Sequence, residues 1–269
     1  MPPLYFVSGS GGHVLPFQTI SSYLGPEQPV YALQPRGLYD TQSFLTRIED
    51  IAGHYLREIK TVQRAGPYYL AGYSFGGVVA FEMAQQLRAS GEEVGLLALL
   101  DSKLRWWERA PDSHTHTDRL NHYMSRLKYY FGEPNGPAKL FRTMRVKSLG
   151  TVRVGSRMAL RRAFRSVGRT LPRPIGTVED ANWFAEANYK PQAYSGRLIL
   201  VRCSETAAAD RDDLLLGWRD LAADIDVKET PGNHFTFVKG SNIVHLAETL
   251  RSCMSEGTAR TARTLGAVS

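Results

Sequence analysis

Cysteine is scarce in this chain, and long apolar runs are missing. Cys203 and Cys253 are the only cysteines among 269 residues, too few for the disulfide framework of a small secreted domain. No stretch reaches the roughly eighteen consecutive apolar residues of a membrane-spanning helix. Met1 leads almost directly into the apolar run Leu4–Val7, without the segments of a secretory signal. These absences predict buried thiols, a cytoplasmic location and no membrane span.

Positive charge is concentrated in one part of the chain. The whole sequence carries 33 Lys or Arg against 26 Asp or Glu, a formal net charge of +7. Residues 103–175 hold seventeen basic and four acidic residues, so this stretch carries +13 and the remainder −6. Two roles stay open for it: a solvated cover over a pocket, or a surface that attracts an acidic partner. It contains no helix-turn-helix, zinc-finger or RNA-binding pattern, and we expect no nucleic-acid partner.

A strand, a G-x-S-x-G motif and a helix follow one another between residues 68 and 91. The apolar run 68–71 is typical of a buried strand, and apolar residues recur at helical spacing over 78–87. Between them lies Gly72-Tyr73-Ser74-Phe75-Gly76. The motif also occurs by chance in glycine-rich chains. Here its context is that of the nucleophile elbow of α/β hydrolases, which predicts Ser74 as a nucleophile.

The loop that follows the first strand is rich in glycine. It reads Ser8-Gly9-Ser10-Gly11-Gly12-His13. A hydrolase needs an oxyanion donor from such an early loop, beside the N–H of the residue after the nucleophile. We therefore expect the backbone N–H groups of Ser10 and Phe75 to form the oxyanion hole. The alternatives are an ordinary turn or a phosphate-binding loop, although the Lys-Ser/Thr ending of a P-loop is missing.

Two further residues occupy the positions of a triad acid and base. Asp101 ends the apolar run 94–100, and the carboxyl ends of strands are where α/β sheets place their sites. By position alone Asp101 is equally well a turn or helix-cap residue. His234 lies in a Pro-Gly loop before the last predicted helix, where the general base belongs in the order Ser, acid, His. His114, His116 and His122 have no cysteine or carboxylate at ligand spacing, and we expect no metal.

The pattern of elements predicts an α/β-hydrolase fold, a mostly parallel sheet flanked by helices with a helical lid insertion. Residues 1–102 and 191–254 are expected to form the hydrolase core, and residues 103–190 the basic helical lid. Helices are expected at 43–63, 118–131 and 242–254. The small polar residues 255–269 have no apolar period and are expected to be disordered.

Several segments resemble the thioesterase domains that end nonribosomal peptide and polyketide synthetases. The resemblance covers about residues 4–105 and 180–250 and leaves the basic insertion uncovered. It is carried by QPVYALQPRG at 28–37, GPYYLAGYSFGG at 66–77, YKP at 189–191, GW at 217–218 and PGNH at 231–234. One departure is Ser8, where the family often has a histidine, and this puts the shape of the first loop in question.

The resemblance implies a triad and a substrate class. Asp101 matches the position of the family's acid, although some members take it from a later strand end, where Asp210 or Asp213 would serve. It implies release of an acyl or peptidyl chain from the phosphopantetheine arm of a carrier protein, through an acyl-enzyme on Ser74, by hydrolysis or macrocyclisation. No bound cofactor is implied. The alternatives are a free-standing editing thioesterase, a carboxylester hydrolase or acyltransferase, and a non-catalytic basic binding module.

Overall fold

A computed structural model describes residues 1–39, 42–104, 163–164, 166–169, 177–209 and 213–266. Its strands are β1 (Leu4–Val7), β2 (Val30–Leu33), β3 (Tyr68–Tyr73), β4 (Val94–Leu100), β5 (Tyr194–Cys203) and β6 (Ala222–Thr230). Its helices are α1 (Leu15–Leu24), α2 (Ile48–Val62), α3 (Phe75–Ala89), α4 (Val178–Asn188), α5 (Ser204–Ala209) and α6 (Asn242–Gly266). Within these residues, strands alternate with helices, as a parallel sheet requires.

The strands form one parallel sheet in the order β2-β1-β3-β4-β5-β6. Because all strands point the same way, the loops that follow them leave at one edge of the sheet. β3 and β4 are neighbours, and Tyr73 at the end of β3 pairs with Leu100 at the end of β4. The residues directly after them, Ser74 and Asp101, therefore leave the sheet side by side.

Helices cover both faces of the sheet, which explains why its central strands are apolar throughout. Alternate residues of β1 belong to different clusters, with Tyr5 and Val7 on one face and Leu4 and Phe6 on the other. The first cluster contains buried residues of α2, α3 and α4, and the second contains those of α1 and α6. The predicted fold class, a parallel sheet between helices, is confirmed.

The chain divides into two compact units, and the boundary differs from the predicted insertion 103–190. One unit contains residues 1–105 and 176–269, and the other contains 106–175. α4 was assigned to the insertion but belongs to the unit of the sheet. Its Ala185 is buried in the first cluster, and Tyr189 just after it donates to the Glu82 carboxylate of α3 at 2.6 Å. The predicted helix 118–131 lies outside the described residues.

The last helix is longer than the sequence predicts. A disordered tail was expected from residue 255, but α6 continues to Gly266. The first of the additional turns is held by contacts with the sheet: the Glu256 carboxylate accepts from Arg197 at 3.0 Å. A Cβ on Gly257 would lie 2.7 Å from the Gly95 carbonyl oxygen, so this helix passes very close to the start of β4. Tertiary contacts therefore support a helix that apolar periodicity did not reveal.

Helix α2 also begins later than expected, at Ile48 instead of residue 43. Residues 42–44 pack against a turn at Gly37, where φ is +82°. A Cβ on Gly37 would lie 2.6 Å from the Gln42 carbonyl oxygen and 2.8 Å from the ring of Phe44. This close approach holds the segment outside the helix.

Candidate active site

Ser74 lies on a strained turn between β3 and α3. Its φ is 55° and its ψ −124°, a combination that L-residues with a side chain rarely adopt. The turn is fixed at its start because the Ser74 N–H donates to the Leu100 carbonyl at 3.0 Å. Strain at this position is what a nucleophile elbow requires, since it lifts the serine side chain above the edge of the sheet.

The glycines around Ser74 allow close packing against the backbone and, at Gly77, against the Ser102 side chain. A Cβ on Gly72 would lie 2.2 Å from the Gly76 carbonyl oxygen, and a Cβ on Gly76 would lie 2.3 Å from the Val7 carbonyl oxygen. A Cβ on Gly77 would lie 2.4 Å from the Ser102 side chain. All three distances are far below van der Waals contact, so the turn excludes any side chain at these positions.

Asp101 is held in the loop after β4 and faces His234. Its Oδ2 lies 2.7 Å from His234 Nδ1, and the Cys203 N–H donates to its Oδ1 at 3.2 Å. Its side chain is buried and its own φ is 45°, a second strained position at the same edge of the sheet. Burial alone raises the pKa of the Asp101 carboxyl. The hydrogen bond and charge of His234, with the Cys203 N–H, bring this pKa below its usual value.

His234 lies in a loop whose own hydrogen bonds define its shape. The side-chain oxygen of Asn233 accepts from the N–H groups of Phe235 at 3.0 Å and Thr236 at 3.2 Å. The Thr236 hydroxyl accepts from the Asn233 N–H at 2.9 Å in return. His234 therefore sits inside a small capped turn, and Gly232 before it has a φ of +100° that allows the chain to enter this turn.

The structure brings the His234 loop against the residue that precedes Ser74. The Tyr73 hydroxyl donates to the His234 carbonyl at 2.6 Å, and the two rings lie 5.1 Å apart. Asp101, His234 and the elbow thus lie at one edge of the sheet. Because Nδ1 of His234 faces the carboxylate, Nε2 is the nitrogen left for proton transfer.

The two expected oxyanion donors lie in the segments that flank the elbow. Phe75 is the first residue of α3, directly after Ser74, so its N–H belongs to the helix N-terminus. The loop of Ser10 leaves β1 beside the elbow, because the Val7 and Ser8 carbonyls occupy the space next to Gly76. The Ser10 carbonyl accepts from Asn182 of α4 at 2.8 Å, which ties this loop to the helix.

The other sequence candidates fall elsewhere. Asp210 lies outside the described residues. Asp213 is buried, and its carbonyl accepts from the Leu216 N–H at 3.2 Å in a turn after α5. The carboxylate at His234 Nδ1 is that of Asp101. Ser8 has a buried hydroxyl directed at the Leu33 carbonyl, 3.4 Å away, so this side chain points towards β2.

Sequence reasoning missed three residues that support the site: Tyr73, Asn182 and Asn233. Tyr73 is a variable position of the motif, and Asn182 bonds to a loop that is 172 residues away in the chain. Only Asn233 had a sequence signal, because Asn followed by a hydroxyl residue three positions later is typical of a capped turn.

Two kinds of feature are absent from the described part of the chain. His, Cys, Asp and Glu side chains there do not gather in groups of three or more that could hold a metal ion. The helices of the same residues include none with the length and apolar character needed to cross a membrane.

A parallel sheet between helices, a strained serine on a glycine-flanked turn and a carboxylate–histidine pair define an α/β hydrolase. The model of the thioesterase domain family matches residues 2–253. The chain therefore belongs to the thioesterase domain family, and the predicted resemblance is confirmed.

The related sequences are much longer proteins. Malpinin synthetase of Mortierella alpina is 40% identical over 118 residues, which are 44% of this chain and 2% of that protein. Atromentin synthetase greA of Suillus grevillei is 41% identical over 99 residues, 37% of this chain and 10% of that protein. The dimodular nonribosomal peptide synthase of Bacillus subtilis is 41% identical over 101 residues, which are 38% of this chain and 4% of that protein. The chain thus spans a small part of each.

Solved structures share the fold over nearly the whole chain. The NocB thioesterase domain, in a covalent complex with a fluorophosphonate nocardicin G analog, has a TM-score of 0.61 at 25% identity. That match covers 94% of this chain and 95% of the other. The RedJ thioesterase from the prodiginine pathway of Streptomyces coelicolor has a TM-score of 0.61 at 19% identity. That match covers 93% of this chain and 89% of the other. Both of these structural neighbours are thioesterases.

Proposed function

We propose that this chain is a serine thioesterase that releases an acyl or peptidyl chain from the phosphopantetheine thioester of a carrier protein. The observation that carries the proposal is the 2.7 Å contact between Asp101 Oδ2 and His234 Nδ1. His234 is also bonded through its carbonyl to Tyr73, the residue directly before the strained Ser74. One matching relative is a dimodular nonribosomal peptide synthase, and this supports a carrier-bound substrate.

The proposed reaction has two half-reactions. His234 Nε2 accepts the Ser74 proton while Ser74 Oγ attacks the thioester carbonyl. The N–H groups of Phe75 and Ser10 stabilise the oxyanion. The carbon–sulfur bond then breaks, and the proton passes from His234 to the leaving thiolate. Asp101 keeps His234 in the tautomer that carries its proton on Nδ1 and stabilises the imidazolium while it exists.

The acyl chain is released from Ser74 by a second nucleophile. His234 removes a proton from water, or from a hydroxyl or amine of the bound chain, and this nucleophile attacks the ester carbonyl at Ser74. The products are an acid or a macrocycle, and the Ser74 hydroxyl is regenerated. The residues named supply all the acid, base and electrostatic functions of this cycle without a bound cofactor or metal. We propose the basic insertion, predicted at residues 103–190, as its lid and the cytoplasm as its location.

Detection of the acyl-enzyme by intact mass tests the proposal. The protein is mixed with acyl- and peptidyl-pantetheine thioesters and with the oxygen esters of the same chains. We expect a covalent adduct on Ser74 from at least one thioester, absent in Ser74→Ala, and slower reaction with the matched oxygen ester. A fluorophosphonate, the reagent class bound covalently in the NocB structure, should label Ser74 as well. Failure of both reagents to modify folded protein would leave the binding-module hypothesis as the better one.

A further inference from the structure

Tyr73 has no assigned role, although it is the residue between Gly72 and Ser74. Its hydroxyl donates to the His234 carbonyl at 2.6 Å, across 161 positions of sequence. The two rings lie 5.1 Å apart with 30° between their planes. One side chain of the elbow thus bonds to the backbone of the residue that we propose as general base.

We propose that Tyr73 is a positioning residue that keeps His234 at a fixed position relative to Ser74. The inference rests on the proposed function, because it concerns how the base of that site is kept in place. Tyr73 does not touch the reacting atoms; it acts through His234.

His234 is held at two points by residues at the ends of neighbouring strands. Its Nδ1 faces Asp101, directly after β4, and its carbonyl accepts from Tyr73, the last residue of β3. Tyr73 and Leu100, the residue before Asp101, are paired in the sheet. The separation between the two holding groups is therefore set by the sheet. Tyr73 fixes the backbone of His234, and Asp101 fixes the orientation of its ring.

Other hydrogen bonds of the His234 loop do not reach the elbow: Asn233 Nδ2 donates to the Glu205 carboxylate of α5 at 3.2 Å, and the Gly232 carbonyl accepts from the Glu205 N–H at 3.1 Å. The capped turn at Asn233 fixes the shape of residues 233–236. Hydrogen bonds within the turn do not fix the distance between the turn and Ser74. The Tyr73 hydroxyl joins the turn to the elbow itself, so movement of one carries the other.

The Tyr73 ring is itself well fixed. It packs at 5.6 Å against the ring of Phe237, and a Cβ on Gly9 would lie 3.3 Å from its Cδ1. Burial, and then the negative charge of Asp101, raise the pKa of the Tyr73 phenol far above its usual value. The hydroxyl thus remains protonated and can donate at every pH at which His234 can act as a base.

Substitution of one oxygen tests the proposal, and the chain provides a matched control. Tyr73→Phe keeps the ring and removes the hydroxyl. Tyr68→Phe does the same at the opposite end of β3, where the Tyr68 hydroxyl donates to the Gln63 carbonyl at 3.0 Å. Both variants lose one hydrogen bond to a backbone carbonyl. Only Tyr73→Phe should reduce kcat for a pantetheine thioester, by about tenfold and with KM within about twofold.

A spectroscopic measurement separates positioning from stability and does not depend on turnover. The Nδ1–H of His234, bonded to the Asp101 carboxylate, should give a far-downfield proton resonance that is absent in His234→Gln. We expect this resonance to broaden or vanish in Tyr73→Phe and to persist in Tyr68→Phe. An inactive wild-type protein would refute the proposed function, whereas the resonance would still report on the Tyr73 contact.

Two results would overturn the inference. One is a Tyr73→Phe protein with wild-type kcat and an unchanged resonance. The other is a Tyr73→Phe protein that fails to fold, or that loses activity only in proportion to its loss of melting temperature. In the second case the hydroxyl would serve stability in the way that the Tyr68 hydroxyl does.

Discussion

Replacement of Asp101 by asparagine is the sharpest test of the site, because it preserves shape and removes one charge. Proton transfer from Ser74 creates an imidazolium on His234 beside a buried carboxylate 2.7 Å from Nδ1. For charge centres about 4 Å apart, with an effective dielectric constant near 20, this attraction is worth about 4 kcal/mol. Each 1.4 kcal/mol is a factor of ten, so we expect kcat to fall roughly a thousandfold. The amide can also offer an N–H to Nδ1 and so favour the wrong tautomer, which adds to the loss.

Single-turnover acylation by a pantetheine thioester, followed by intact mass, measures this effect directly. Asp101→Asn should accumulate the Ser74 adduct about a thousandfold more slowly, while KM stays within about twofold because the lost attraction exists mainly in the transition state. Asp210→Asn and Asp213→Asn are the controls, since each removes the carboxylate of an alternative acid. If either of these variants lost more activity than Asp101→Asn, the assignment of Asp101 would be refuted.

The same variant carries a prediction for stability against pH. The pKa of Asp101 is lowered in the folded protein, so its ionised form stabilises the fold. This contribution is fully present above the ordinary pKa of an aspartate, near 4, and is lost as the pH falls through the lower folded-state value. In urea unfolding, the difference in stability between wild type and Asp101→Asn should therefore shrink below about pH 4. A difference that is constant down to pH 2 would contradict the assigned shift.

Three further substitutions test backbone packing and one buried hydrogen bond. Gly76→Ala should destabilise the fold by about 1–3 kcal/mol and abolish fluorophosphonate labelling, because its Cβ would lie 2.3 Å from the Val7 carbonyl oxygen. Gly53→Ala in α2, whose Cβ has no neighbour nearer than 3.5 Å, should instead stabilise by about 0.5–1 kcal/mol; equal melting temperatures would refute this contrast. Tyr189→Phe should destabilise by about 1–3 kcal/mol without changing kcat, because the buried Glu82 carboxylate loses a 2.6 Å hydrogen bond. An undiminished free energy of unfolding would show that Glu82 finds another partner.

Local sequence patterns were sufficient where the physical requirement is itself local. Backbone crowding at the elbow demands glycine on both sides of Ser74, so the motif predicts the turn that the structure shows. Helix α2 was recognised from apolar spacing, although its first turn was displaced by packing at Gly37. Periodicity cannot report such a contact, because Gly37 is not part of the helix.

Longer-range features were poorly predicted for a common reason. The continuation of α6 beyond Met254 depends on contacts of Glu256 with Arg197 and of Gly257 with Gly95, both far away in the chain. The assignment of α4 to the unit of the sheet depends on Tyr189 meeting Glu82. The sequence contains both residues of each contact, but it does not indicate that the two residues meet in the fold.

The sequence by itself determined the parallel sheet, the elbow, and the serine and histidine that we propose for the triad. Only the tertiary structure decided that the carboxylate facing His234 Nδ1 is Asp101, and that Tyr73 bonds to the backbone of His234. The physical reason is the distance along the chain: Asp101 and His234 are 133 positions apart. Their contact exists because β4, β5 and β6 are successive neighbours in one parallel sheet, so the loops that follow β4 and β6 leave at the same edge.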